Sequence, residues 1–178
     1  MGTKSLYEQL FNMLQDSVSS DEPFITAYDA VWAETGYAKQ NRQRITFYMQ
    51  IVHMGESLAF LNNGWELLTL MYMQDRLFGS VSDWTNEKDA LGFSNYDSRP
   101  NIDGNDFMLI SMSWLTGKDQ RLFFDMWGVS YSDEAGNQVE TYGFPSAGKN
   151  FYIPEDAIDY KPVEHTIPVD GTQDWPVP

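Results

Sequence analysis

Leu6, Leu10, Met13, Leu14 and Val18 recur at helical spacing, with Glu8, Gln9 and Asp16 between them. One apolar stripe per 3.6 residues predicts an amphipathic helix from about Lys4 to Val18. Ser19-Ser20-Asp21 closes it, and Ser20 or Asp21 is a natural N-cap for a second helix with Pro23 in its first turn. That helix carries Phe24, Tyr28, Val31 and Trp32 and ends near Gly36. A third is predicted from about Ala38 to Leu61. Ile45, Tyr48, Met49 and Val52 line one side of it, and Phe47, Ile51, Met54 and Leu58 line another. A helix apolar on most of its circumference belongs inside a bundle.

Asn62-Asn63-Gly64 is a strong turn signal, and Trp65 to Phe78 reads as another nearly all-apolar helix. From Gly79 to Asn101 the periodicity weakens among turn residues. Helices return from about Asn105 to Leu115 and from Lys118 to Met126. Ser132 to Tyr142 admits two readings. Ala135-Gly136-Asn137 suits a hairpin turn, whereas Ser132 before Asp133 and Glu134 suits a capped helix start, and the helix is favoured. The predicted fold is all-α: a multi-helix bundle with an irregular segment near 79–101. A helical domain is expected over 1–152. An extended, mobile acidic tail is expected over 153–178, where Pro162, Pro168, Pro176 and Pro178 disfavour regular structure.

Charge narrows the function. Eleven Lys and Arg face 26 Asp and Glu, a net of −15. No basic stripe is available to neutralise phosphates, which argues against nucleic acid and anionic membrane surfaces alike. No apolar run approaches the roughly 18 residues of a membrane span. The absence of cysteine removes disulfides, thiolate nucleophiles and Cys-based zinc sites together. No signal peptide is visible, and Met1-Gly2 is compatible with an added start, so the natural chain can extend upstream.

Few residues carry chemistry. The histidines are His53 and His165, and only His53 has an acid, Glu56, on the same helix face. That is at most half of a carboxylate-bridged metal site, with no second half and no His-Glu-x-x-His. A hydrogen-bonded core histidine is the favoured reading. No resident metal site is expected, and neither Asp103-Gly104-Asn105-Asp106 nor Asp133 to Asn137 has calcium-loop spacing. Glu66, Asp75, Asp106, Asp119 and Asp125 lie in apolar helices, where Arg44, Arg76 and Arg121 can meet them. Structural ion pairs explain them more simply than acid–base catalysis. Trp65, Thr69, Tyr72 and Arg76 share one helix face. With Asp106 on a neighbouring helix, such a platform can hold a sugar by stacking and hydrogen bonding. Trp65, Tyr72, Arg76 and Asp106 are therefore the candidate glycan contacts, with core packing the commoner explanation. An ion pair between Arg76 and Asp106 is expected.

The string Trp65-Glu66-Leu67-Leu68-Thr69-Leu70-Met71-Tyr72-Met73-Gln74-Asp75-Arg76 resembles the helical region downstream of the zinc motif in secreted bacterial enhancin-like metallopeptidases. These enzymes, of the immunomodulating-metalloprotease and accessory-colonisation-factor type, cleave mucins and glycoproteins. Matching segments follow in order: Phe47-Tyr48-x-Gln50, Gly104-Asn105-Asp106-x-x-Leu109-Ile110-x-x-Ser113, Asp119-Gln120-Arg121, Phe124-Asp125-x-Trp127-Gly128 and Gln138-Val139-x-x-Tyr142-Gly143-Phe144. They cover about Leu6 to Tyr152. The family's His-Glu-x-x-His and further Glu ligand are missing, so no catalytic residue carries over. The resemblance implies a C-terminal helical subdomain of a secreted or cell-surface enzyme, inactive alone and packed on an upstream catalytic domain of the same polypeptide. It implies zinc for that parent, none for this chain, and glycoproteins or mucins as substrates. A stand-alone protein-interaction module is the alternative.

Overall fold

In the computed structural model, residues 3–20, 37–102, 104–154 and 163–175 are described. The expected second helix, at 21–36, lies outside them, as do the side chains of Arg44 and His165. Helices α1 (Thr3–Ser20), α2 (Tyr37–Glu56), α3 (Trp65–Ser80), α4 (Trp84–Glu87), α5 (Gly104–Thr116), α6 (Arg121–Met126) and α7 (Asp133–Thr141) make a predominantly helical fold. Strands β1 (Asn150–Pro154) and β2 (Val163–Pro168) add a two-stranded antiparallel sheet, with Phe151 opposite Ile167 and Tyr152 opposite Thr166.

The α2–α3 corner forms where the turn signal stands. Helix α2 stops at Glu56, short of the expected Leu61, because the chain folds back tightly. A Cβ on Gly64 would lie 1.9 Å from the Val52 carbonyl oxygen, and one on Gly55 would lie 2.7 Å from that of Gly64. Only glycine permits this approach. The Glu56 carboxylate then accepts from the Gly64 amide at 2.8 Å and closes the corner.

The core is aromatic. Phe47 of α2 stacks on Phe123 and meets Phe124 and Trp127 edge-on, and Trp127 stacks on Phe151 of β1. Phe151 meets Tyr7 and Phe11 of α1. A second cluster, Phe78, Trp84, Phe93 and Phe107, fixes the irregular segment between α3 and α5. Ring pairs of this kind add about 0.5–1.5 kcal/mol each beyond their burial.

Helix α7 forms at 133–141, so the helical reading of that stretch holds. The Ser132 hydroxyl caps it by accepting from the Ala135 amide at 3.2 Å, with Asp133 and Glu134 in the first turn. Beyond residue 152, where a loose tail is expected, β2 runs extended and pairs with β1. Gln15 of α1 donates to the Pro168 carbonyl and accepts from the Gly171 amide, and Trp175 packs on Phe11 and Phe151. Residues 163–175 are thus tied to the helical body.

Candidate functional site

The four candidate residues separate into two places. Trp65, Tyr72 and Arg76 lie on the outward face of α3 and are exposed. The inward face, carrying Leu67, Met71 and Gln74, packs into the core. Arg76 Nη1 donates to the Tyr72 hydroxyl at 3.1 Å, and its guanidinium carbon sits 5.8 Å from the centre of that ring.

Asp106 is elsewhere. It sits in the first turn of α5, 8% exposed, and both carboxylate oxygens serve Ser132. Oδ1 accepts from the Ser132 amide at 2.7 Å and Oδ2 from its hydroxyl at 2.6 Å. The expected Arg76–Asp106 pair is therefore not formed. The physical reason is that Arg76 projects to solvent and needs no buried counter-ion, while the start of α7 supplies Asp106 with two short hydrogen bonds. Asp106 acts as a clamp between α5 and α7.

Among the described residues, the arginine that does pair with acids is Arg121. It makes a bidentate contact with Asp119 (Nη2 to Oδ2 2.7 Å, Nε to Oδ1 3.1 Å) and reaches Glu140 at 3.5 Å. Partial burial would raise the Asp119 pKa, but hydrogen bonds from Arg121 outweigh it and hold the carboxyl below its usual range. Arg121, Tyr131, Asp133, Gly136 and Asn137 line an open depression of about 370 Å³. Its guanidinium is committed to Asp119, and the Tyr131 hydroxyl donates to Asp125 at 3.1 Å. Of the other acids in apolar helices, Asp75 is exposed and Glu66 accepts from Asn62 at the α2–α3 turn.

His53 is a core histidine. It is buried and shares a 3.0 Å hydrogen bond between Nε2 and the Tyr7 hydroxyl. Desolvation pushes its pKa down to about 4. Its helix neighbour Glu56 turns away to the Gly64 amide. Among the described residues no three His, Asp or Glu side chains converge as metal ligands. No described helix is long and apolar enough to cross a membrane.

Comparison with known proteins points to metallopeptidases. No protein-family model matches the chain. The immunomodulating metalloprotease of Pseudomonas aeruginosa is 33% identical over 186 residues, spanning 99% of this chain and 20% of that protein. Solved structures of that metallopeptidase, including one in complex with T-antigen and one in complex with an O-glycopeptide, superpose with a TM-score of 0.80 at 33% and 32% identity. They cover 97% of this chain and 20% of the solved chains. The chain is homologous to a segment of that enzyme and spans about a fifth of its length, which bears out the resemblance read from the motifs.

What sequence reasoning missed is the extent of the α3 face. Met73 and Leu77 continue it and are exposed beside Tyr72. The available signal was the all-apolar character of Trp65 to Phe78, more apolar surface than one buried face can use.

Proposed function

We propose that this chain is a helical subdomain of a secreted bacterial zinc metallopeptidase acting on glycoproteins or mucins. On this reading the zinc ligands lie elsewhere in the same polypeptide, and the chain alone is inactive. The observation that carries the proposal is the alignment of nearly the whole chain, at 33% identity, with one fifth of a metallopeptidase. The glycan and glycopeptide complexes of the similar structures support the substrate class. Placing the metal outside is consistent with the candidate ligands described: His53 is engaged with Tyr7 in the core, Asp106 serves Ser132, Asp119 serves Arg121 and Glu56 closes the helix corner.

In this arrangement the chain's contribution is shape. Its aromatic core fixes the relative positions of α2, α3 and α5, so that a surface is presented rigidly to a neighbouring catalytic domain. Zinc, when held by that domain, would supply a Lewis acid and an activated water.

The test has two parts. The coding sequence preceding residue 1 is expected to encode His-Glu-x-x-His followed by a Glu ligand within a few hundred residues. The longer polypeptide is expected to cleave an O-glycopeptide and to lose that activity with a zinc chelator, whereas the 178-residue chain shows no cleavage. Absence of the motif, or cleavage insensitive to chelation, overturns the reading.

A further inference from the structure

The α2–α3 corner holds a chemically reactive pair. Asn63 is exposed and precedes Gly64, and no other asparagine of the chain is followed by glycine. In an Asn-Gly pair no side chain shields the glycine nitrogen, which can attack the side-chain amide before it. A bond forms between Gly64 N and Asn63 Cγ, the Cγ–Nδ2 bond breaks, and the nitrogen's proton leaves with Nδ2 as ammonia. Water then opens the cyclic imide to aspartate or, more often, to isoaspartate. Both products add a negative charge, and isoaspartate also adds one carbon to the backbone.

The fold engages every group this reaction needs. The Gly64 amide donates to Glu56 Oε1 at 2.8 Å. Attack requires that nitrogen to give up its proton, and a hydrogen bond to a carboxylate favours the protonated form. Asn63 Oδ1 accepts from the Trp65 amide at 3.1 Å, and Asn63 Nδ2 donates to Glu66 Oε1 at 3.4 Å. Departure of Nδ2 gives up the second of these. Gly64 has no room to shift toward α2, since a Cβ on it would lie 1.9 Å from the Val52 carbonyl oxygen.

We propose that Asn63 is a latent deamidation site, that the Glu56 carboxylate is its guard, and that isoaspartate at position 63 opens the α2–α3 corner. The opening follows from space. The Gly64 Cα would stand 2.8 Å from a Cβ on Gly55, so this approach tolerates not even one added carbon. An extra backbone carbon just before Gly64 displaces it. The new carboxylate also faces Glu66, where a donor stood before, and like charges repel. The proposal is independent of the reading given under Proposed function.

Timed incubation of the 178-residue chain in mildly alkaline buffer, with peptide mass spectrometry at Asn63, tests the guard. The folded wild type is expected to deamidate there at least about tenfold more slowly than the same chain in urea, and Glu56→Ala to raise the folded rate about tenfold. Equal rates for folded and urea-unfolded wild type overturn the proposal, and so does a Glu56→Ala rate equal to that of the wild type. Should Glu56→Ala not fold, Glu56→Gln takes its place. It keeps an acceptor without the charge and is expected to deamidate about threefold faster than the wild type, with equality again overturning the guard. The opened corner has its own readout. The isoaspartate form, separated from an aged sample, is expected to melt below Asn63→Asp, which carries the same charge on an ordinary backbone. Equal melting temperatures overturn the opening, because the modification then acts by charge alone.

Discussion

His53 shows how burial of one side chain makes stability depend on pH. Its folded pKa, about 4, lies below the ordinary value of 6.5, because the ring is desolvated among core side chains beside Tyr7. Between those values the unfolded chain binds the extra proton and the folded chain does not. Its contribution is therefore complete above pH 6.5 and is lost as pH falls from 6.5 toward 4. The size is about 3 kcal/mol. Thermal unfolding at pH 7 and pH 4.5 checks it: His53→Gln is expected to show a smaller drop in melting temperature over that interval than the wild type, and equal drops would sink the argument. The buried glutamines follow a different logic. Gln50 donates to the Tyr152 carbonyl at 2.7 Å and accepts from the Tyr152 amide at 2.7 Å, standing in for a missing neighbour of strand β1. Gln50→Leu strands both groups and is expected to cost about 3 kcal/mol in urea unfolding, since each buried orphan costs about 1–3 kcal/mol. The core role of His53 was legible, but that of Gln50 was not, because a glutamine in a helix is unremarkable until its partner 102 residues away is known.

Elements were legible where periodicity and punctuation agree. The α2–α3 corner follows from Asn62-Asn63-Gly64, and α7 follows from the Ser132 cap with acids behind it. The sheet was not legible. Strand β1 is short, and β2 includes proline and carries charge, so both fall below the alternation that signals a strand. The candidate site was half legible: helical spacing placed Trp65, Tyr72 and Arg76 on one face but could not say that the face looks outward, nor that Asp106 serves another helix. The Asp106–Ser132 clamp makes the element-scale prediction. Asp106→Ala removes two hydrogen bonds to a carboxylate and leaves the Ser132 amide unpaired, so a loss of about 3 kcal/mol is expected. Ser132→Ala removes the cap and is expected to cost about 1 kcal/mol. Because the two groups share one network, the double mutant should lose less than the sum. A double-mutant cycle that comes out additive would show that the clamp and the cap act independently.

At the scale of the whole molecule, the question is whether residues 163–175 fold with the helices or merely lie beside them. The geometry favours one cooperative unit. Strand β2 hydrogen-bonds to β1, whose Phe151 stacks on Trp127 at the centre of the helical core, so the sheet has no separate core of its own. Gln15 reaches from α1 to two backbone groups of this stretch. Trp175 then covers Phe11 and Phe151 from outside. Removing that indole uncovers two fully buried rings without disturbing any helix, and Trp175→Ala is expected to cost about 2 kcal/mol, less than a wholly buried aromatic because Trp175 is only half-buried. Ending the chain after Pro162 removes β2 as well and should lower the melting temperature further. Calorimetry distinguishes the alternatives. One cooperative unit gives a single transition that moves as a whole with Trp175→Ala, whereas an independent tail leaves the main transition where it was. The second result would support the boundary at residue 152 expected from the sequence, and the first would place the acidic C-terminal segment among the parts that fix α1 against the core.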